Sequence, residues 1–290
     1  MKIIIQRFLV FFIGIPLIIS SIIFLPYYDH LFLNIVVVIF SVLGAVELKS
    51  MLKNKQLPIS KIEAVILGGL APALMTLVIS FDFNFWIIPV FLVAAAIWML
   101  VSTVFMPSYQ LDMFINRMVA GFAVLIYPGF FLAWICAMGK WNGILIIVFV
   151  ILPMLNDSAA WAAGILFGKN NRGIIKVSPK KSIAGYTGGL VASILVTTLA
   201  VIIFPGFFNP RFGYIAIVSS PVVCGVLLGI IPGIAAALGD LCESAMKRSA
   251  NIKDSGSLIP GRGGVLDSID SIALAAPAFY FTWKLLFTGV

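Results

Sequence analysis

The chemistry this sequence could perform is concentrated near its C-terminal end, where five of its eleven acidic side chains fall between residues 240 and 270. Asp240, Glu243 and Lys247 are spaced i, i+3 and i+7, so a helix would carry them on one face. Asp267 and Asp270 are again three apart. Neighbouring carboxylates repel unless something positive lies between them, and their hard oxygens suit Mg²⁺, which usually binds through one or two carboxylates plus substrate phosphates. Asp240, Glu243, Asp254, Asp267 and Asp270 are therefore expected to hold Mg²⁺, with acids enough for a second cation. Between the two acid pairs run Lys253-Asp254-Ser255-Gly256 and Ile259-Pro260-Gly261-Arg262-Gly263-Gly264. A glycine-rich turn of this kind can expose successive backbone N–H groups as an anion-binding nest, and Arg262 within it would add bidentate phosphate contacts.

A second basic segment lies upstream. It holds Lys169, Arg172 and Lys176, then Ser178-Pro179-Lys180-Lys181-Ser182 and Gly185-Tyr186-Thr187-Gly188-Gly189. A basic loop ending in glycines at a helix start suits phosphate; such loops also serve orientation or anionic lipid. Beside a cluster of acids that could hold metal, cations and metal together describe a polyphosphate site. Asp157 precedes Lys169 by twelve residues, or roughly 18 Å along a helix, inside an apolar run. An ionised carboxylate at that depth costs about 2.5–3.5 kcal/mol on insertion scales. It calls for a structural ion pair or, the preferred reading, a water-filled cavity open to the cytosol.

The elements that must position these residues are membrane spans. The 290 residues are 62% hydrophobic and 10% charged, with a mean hydropathy of +1.15, whereas soluble domains carry about 25% charged residues. Apolar runs long enough to span occur at about 3–25, 31–48, 62–80, 84–105, 118–138, 142–166, 188–208, 213–238 and 267–287. The expected fold is an all-α polytopic membrane protein of about nine transmembrane helices. With the N-terminus in the cytosol and the C-terminus on the outer side, 16 of the 19 basic residues fall on the cytosolic face, and only Lys140, Arg211 and Lys284 fall outside. That asymmetry follows the positive-inside rule.

The outer connections (26–30, 81–84, 139–141 and 207–212) are short, and His30 lies in one of them. Residues 1–140 read as a transmembrane scaffold, and 141–290 as a catalytic transmembrane region with cytosolic loops 167–187 and 239–266. The first run lacks a small-residue cleavage site and is expected to be a retained span. The charge of +8 belongs to orientation; no basic stripe interleaves with exposed aromatics as nucleic acid would require. Three cysteines without CxxC spacing exclude a disulfide framework or zinc site.

The motifs resemble the phosphatidate cytidylyltransferase (CDP-diacylglycerol synthase) family. The resemblance rests on Ser244-Ala-Met-Lys247-Arg248, Lys253-Asp254, Pro260-Gly261-Arg262-Gly263-Gly264 and Asp267-Ser268-Ile-Asp270. It also rests on Asn156-Asp157-Ser158-Ala159-Ala160, Phe167-Gly168-Lys169 and Ser178-Pro179-Lys180-Lys181-Ser182. Arg262 stands at the family's usual His, Ser268 at its usual Arg, and Ala184 where Glu is common. Exchanging His for Arg keeps a phosphate-binding cation and loses a titrating group.

The resemblance covers 156–270 closely and 1–150 only in topology. It implies transfer of CMP from CTP to phosphatidic acid, giving CDP-diacylglycerol and pyrophosphate. Asp157, Lys181, Lys247, Arg248 and Lys253 would be catalytic. Ser178, Lys180, Lys181, Ser182, Lys247, Arg248, Lys253, Gly261, Arg262, Gly263 and Gly264 would bind substrate phosphates. It further implies a multi-pass protein of the cell (inner) membrane in contact with membrane lipid, its site facing the cytosol, and by analogy a homodimer. Two rival readings are a CTP-dependent polyprenol kinase and an ion-coupled transporter with carboxylates at the midplane. The clustering of acids at one end and the lack of two-half symmetry speak against the transporter.

Overall fold

The computed structural model describes residues 13–105, 113–208 and 220–288. Residues 3–12 of the first expected span and 213–219 of the eighth lie outside the described residues, as do Lys2, Arg7 and Arg211. The described chain is helical: α1 (Ile15–Phe24), α2 (Tyr27–Lys53), α3 (Lys61–Ser80), α4 (Ile87–Val104), α5 (Phe114–Val124), α6 (Phe131–Gly139), α7 (Gly143–Leu166), α8 (Ile183–Ile203), α9 (Pro221–Ser249) and α10 (Leu266–Phe287). A π-helical turn, Leu125–Phe130, joins α5 to α6 around Pro128 and makes them one 26-residue run.

Among the described residues, six helices are long and apolar enough to cross a membrane: α2, α3, the α5–α6 run, α7, α8 and α9. Helices α1 and α4 are apolar but shorter, and α10 carries Asp267, Asp270 and Lys284 along its 22 residues. Large apolar side chains such as Ile62, Trp98, Trp161 and Leu166 stand out from the helices, as expected where lipid rather than water is the solvent. His30, expected in a connection, is buried there: Tyr28, Asp29 and His30 have left-handed, non-helical backbone angles ahead of the regular part of α2.

The chain divides into two compact units, one of Met1–Trp141 with Met246–Ile269 and one of Asn142–Ala245 with Asp270–Val290. In the first, α2 and α3 touch closely because Gly68 leaves room for Ala45. The Ser41 hydroxyl lies 2.6 Å from the Gly68 carbonyl oxygen and also reaches that of Pro128 in the π turn. Helix α3 begins at a capping box: the Ser60 hydroxyl accepts from the Glu63 N–H and the Glu63 carboxylate from the Ser60 N–H, each at 3.1 Å, so two of the first turn's orphan donors are satisfied.

Residues 246–269, assigned on sequence to the C-terminal region, pack within this first unit. The reason is local: Gly44 of α2 admits Leu266 and Ile269, and Asn54, the C-cap of α2, donates to the Ala250 carbonyl at 3.4 Å.

In the second unit, small residues let backbones approach. Gly185, Gly188 and Gly189 of α8 lie on Ala160, Ala159 and Asn156 of α7. Gly225, Gly229 and Gly233 of α9, each four apart, lie on Thr198, Ile194 and Ser193 of α8. The buried Asn156 amide ties three helices, donating to Ser193 Oγ at 2.8 Å and to the Gly233 carbonyl at 3.2 Å.

Two expected loop boundaries move. Ser182 caps α8 by accepting from the Gly185 N–H at 3.0 Å, so the upstream connection is 167–182 rather than 167–187. Helix α9 continues to Ser249, which leaves 250–265 as the connection in place of 239–266 and puts Asp240, Glu243 and Lys247 on regular helix.

Candidate active site

In the first unit the site is built around Asp267, in the first turn of α10. Its Oδ2 accepts the N–H of Ser255 at 2.8 Å and that of Gly264 at 2.7 Å, and lies 2.9 Å from Ser255 Oγ. Its Oδ1 lies 2.5 Å from Lys247 Nζ. Both partners are largely withdrawn from solvent, Lys247 at 15% and Asp267 at 7% side-chain exposure. An ionised pair so placed is held by hydrogen bonds and attraction together.

The glycine-rich turn has a different use from the expected one. The N–H groups of Arg262 and Gly263 are both taken by the Ile259 carbonyl at 3.1 Å, and that of Gly264 by Asp267. The anion these donors serve at Gly264 is the protein's own carboxylate rather than a free phosphate. Gly263 has φ +107°, and a Cβ there would lie 2.6 Å from Asp267 Oδ2 and 3.4 Å from the Asp254 Cβ. No other residue fits that position, because both the left-handed backbone and the contact exclude a side chain.

Sequence reasoning missed Glu47. This α2 residue accepts the N–H of Val265 at Oε1 and that of Leu266 at Oε2, each at 2.9 Å, and its Oε2 lies 2.9 Å from Ser255 Oγ. The available signal was a carboxylate near the end of an apolar span, Ala45-Val46-Glu47-Leu48.

The second unit holds Asp157, Lys181, Asp240 and Asp270, of which Lys181 and Asp240 meet directly. Lys181 pairs with Asp240 and lies 5.7 Å from the centroid of the Tyr186 ring. Gly239 packs against the Asp270 backbone carbonyl, which sets α9 beside α10. The Ser271 hydroxyl, missed on sequence, lies 3.4 Å from both oxygens of Asp157. Glu243, one turn on from Asp240, is fully buried, and an ionised carboxylate there demands a donor or cation beside it.

The upstream connection folds on itself: Arg172 donates to the Gly164 carbonyl at 2.8 Å, and the Ile183 N–H to that of Asn171 at 3.1 Å. Ser182, expected on phosphate, is buried as the α8 cap. Ser178 is half-buried in the turn leading to Lys181, while Lys180, Arg248, Lys253 and Arg262 are exposed and reachable by an anion. Among the described residues no three His, Cys, Asp or Glu side chains converge as a metal centre. Instead, Asp240 and Asp267 each hold a lysine ammonium.

The chain is similar to several known proteins. The chain is 34% identical over 164 residues to a phosphatidate cytidylyltransferase of Mycobacterium bovis, covering 57% of this chain and 45% of that protein. It is 39% identical over 142 residues to one of Synechocystis (47% and 44%), and 38% identical over 149 residues to one of Haemophilus influenzae (50% and 48%). The matched stretch spans less than half the length of each of these relatives. The model of the cytidylyltransferase family extends much further, over residues 5–286. Acid–lysine pairs, glycine turn and small-residue helix contacts thus all lie inside one family's pattern, and the chain belongs to the cytidylyltransferase family.

Proposed function

We propose that the protein is a phosphatidate cytidylyltransferase, transferring CMP from CTP to phosphatidic acid. A phosphate oxygen of phosphatidate attacks the α-phosphorus of CTP, a new P–O bond forms, the bond from that phosphorus to the α–β bridging oxygen breaks, and pyrophosphate leaves. A phosphate monoester has a second pKa of about 6, so the nucleophile is anionic near neutrality and no base has to take a proton. This suits a chain whose single histidine is buried in α2. The demand is for charge neutralisation and in-line placement of two anions that repel each other.

The observation that carries this reading is the Lys247–Asp267 pair seated in the glycine turn, in a chain matching the cytidylyltransferase pattern over 5–286. Lys247 and Lys181 are cations already oriented by carboxylates. Lys180, Arg248, Lys253 and Arg262 add exposed charge for the phosphates of both substrates. Ser178, with the glycines at 261, 263 and 264, would line the phosphate path, the glycines by letting it come close. Asp157 would line the floor of the second-unit cluster.

Carboxylate oxygens are the hard donors that Mg²⁺ takes, and those of Asp240 and Asp267 already face a lysine ammonium. Asp240, Glu243 and Asp270 would hold a cation in the second unit, and Asp254 and Asp267 would hold a second cation in the first. Once bound, the ion would offset the charge of the triphosphate and of the leaving pyrophosphate.

The same reading makes this a protein of the cell (inner) membrane with about nine spans, N-terminus in the cytosol, C-terminus outside and the site on the cytosolic face. The 16 basic residues gathered on that face support this orientation. A homodimer is carried by family analogy. The test is pyrophosphate release by purified protein given CTP and Mg²⁺: it should depend on added phosphatidate, and release indifferent to the lipid would reject the proposal.

A further inference from the structure

Resting on the nucleotidyl-transfer reading above, we infer that Glu47, in the N-terminal helices, is a positioning residue for Asp267. The Ser255 hydroxyl stands between the two carboxylates, 2.9 Å from Glu47 Oε2 and 2.9 Å from Asp267 Oδ2. Its single proton serves one of them at a time, so the hydroxyl joins both acids into one unit. Glu47 also takes the N–H groups of Val265 and Leu266 at the start of α10. Those are orphan donors of a helix N-terminus, and the preceding Gly263-Gly264-Val265 offers no side-chain cap. A carboxylate there is favoured by the helix dipole as well as by the hydrogen bonds.

The seat is built for this group. A Cβ on Gly256 or on Gly264 would fall on the Glu47 carboxylate. The contacts link residues 208 to 219 positions apart in sequence, so they fix the turn 255–266 to α2 rather than to its own helices. With three donors around Asp267 Oδ2, its carboxylate plane is set and Oδ1 is left toward Lys247. Glu47 acts through Ser255 and the α10 N-terminus. A plain fold staple would change stability alone, whereas a positioning group changes the chemical step.

The test uses the full-length protein in lipid nanodiscs, with Glu47→Gln and Ser255→Ala variants, steady-state kinetics for CTP, and amide hydrogen exchange at 264–267. Gln keeps the size of Glu but sets an N–H₂ group against backbone donors. Glu47→Gln should lower kcat roughly 10- to 100-fold, the loss seen when a supporting partner of a site carboxylate is removed. Its KM for CTP should stay within about twofold, as for an interaction made only in the transition state. Exchange at Val265 and Leu266 should accelerate.

Ser255→Ala leaves Glu47 on the helix N-terminus. It should lower kcat by roughly tenfold while those two amides stay protected, and it decides the matter if Glu47→Gln does not fold. A normal kcat in either folded variant, or a raised KM with unchanged kcat, would overturn the inference. If the wild-type protein makes no cytidylylated lipid, the reading beneath the inference fails. Unchanged exchange at Val265 and Leu266 in Glu47→Gln would then refute the brace itself.

Discussion

Lys247 Nζ lies 2.5 Å from Asp267 Oδ1 across the turn between α9 and α10, while Oδ2 of the same carboxylate is held by the N–H groups of Ser255 and Gly264. One oxygen is thus committed to the fold, and the other faces a cation that can be exchanged. A triphosphate arriving at Lys247 would compete for that ammonium and free Oδ1 for a divalent cation. Structure and chemistry meet in one side chain, which gives it distinguishable mutational signatures.

Asp267→Asn should abolish lipid cytidylylation, by roughly 10²–10³-fold for loss of an electrostatic group at the reacting phosphates. The amide can still satisfy a backbone donor, so the helical circular dichroism should match wild type. Incorporation of radiolabelled CTP into lipid by the folded variant is the measurement, and wild-type rates would remove Asp267 from the site.

Lys181→Ala should act more mildly. Lys181 pairs with Asp240 but keeps about a third of its side chain exposed (31%), so solvent screens part of its effect. A higher KM for CTP is expected, with a smaller loss of kcat than Asp267→Asn produces. Unchanged kinetics would exclude it from phosphate binding.

Gly263→Ala should destabilise the first unit by about 1–3 kcal/mol, the usual cost of forcing a side chain into a disfavoured backbone region. The new Cβ would also press on Asp267 Oδ2. Thermal unfolding in detergent should show a lower midpoint, and turnover should fall with it.

Chelation should silence the enzyme reversibly. Removing divalent cation with EDTA should stop product formation, and added Mg²⁺ should restore it, because the acids at 240, 243, 254, 267 and 270 then lack the charge that lets a triphosphate approach. Full activity after exhaustive chelation would contradict the roles given to these residues.

The helical placement of the acids at 240, 243, 267 and 270 was legible because spacing and polarity inside apolar runs are local signals, and the lysine at 247 falls on the same period. Six of the expected spans, among the described residues, were legible for the same reason: hydropathy needs no tertiary context. Glu47 was not, since its partners lie more than two hundred residues away and nothing near it in sequence announces them. The ends of the loops were misplaced for physical reasons that act locally. The Ser182 hydroxyl caps α8 earlier than the glycines suggested, and α9 runs on to Ser249 through a polar last turn that reads as loop. The glycine turn was read as open to phosphate, yet its N–H groups are spent on Ile259 and Asp267, a detail that only three-dimensional pairing decides.

The most direct test of the central claim follows the label from two forms of CTP incubated with purified protein, Mg²⁺ and phosphatidate. Label at the α-phosphorus should appear in the lipid product, and label at the γ-phosphorus in pyrophosphate alone. Transfer of the γ-label to lipid, as a CTP-dependent lipid kinase would give, or no labelled lipid from either form, would contradict the account.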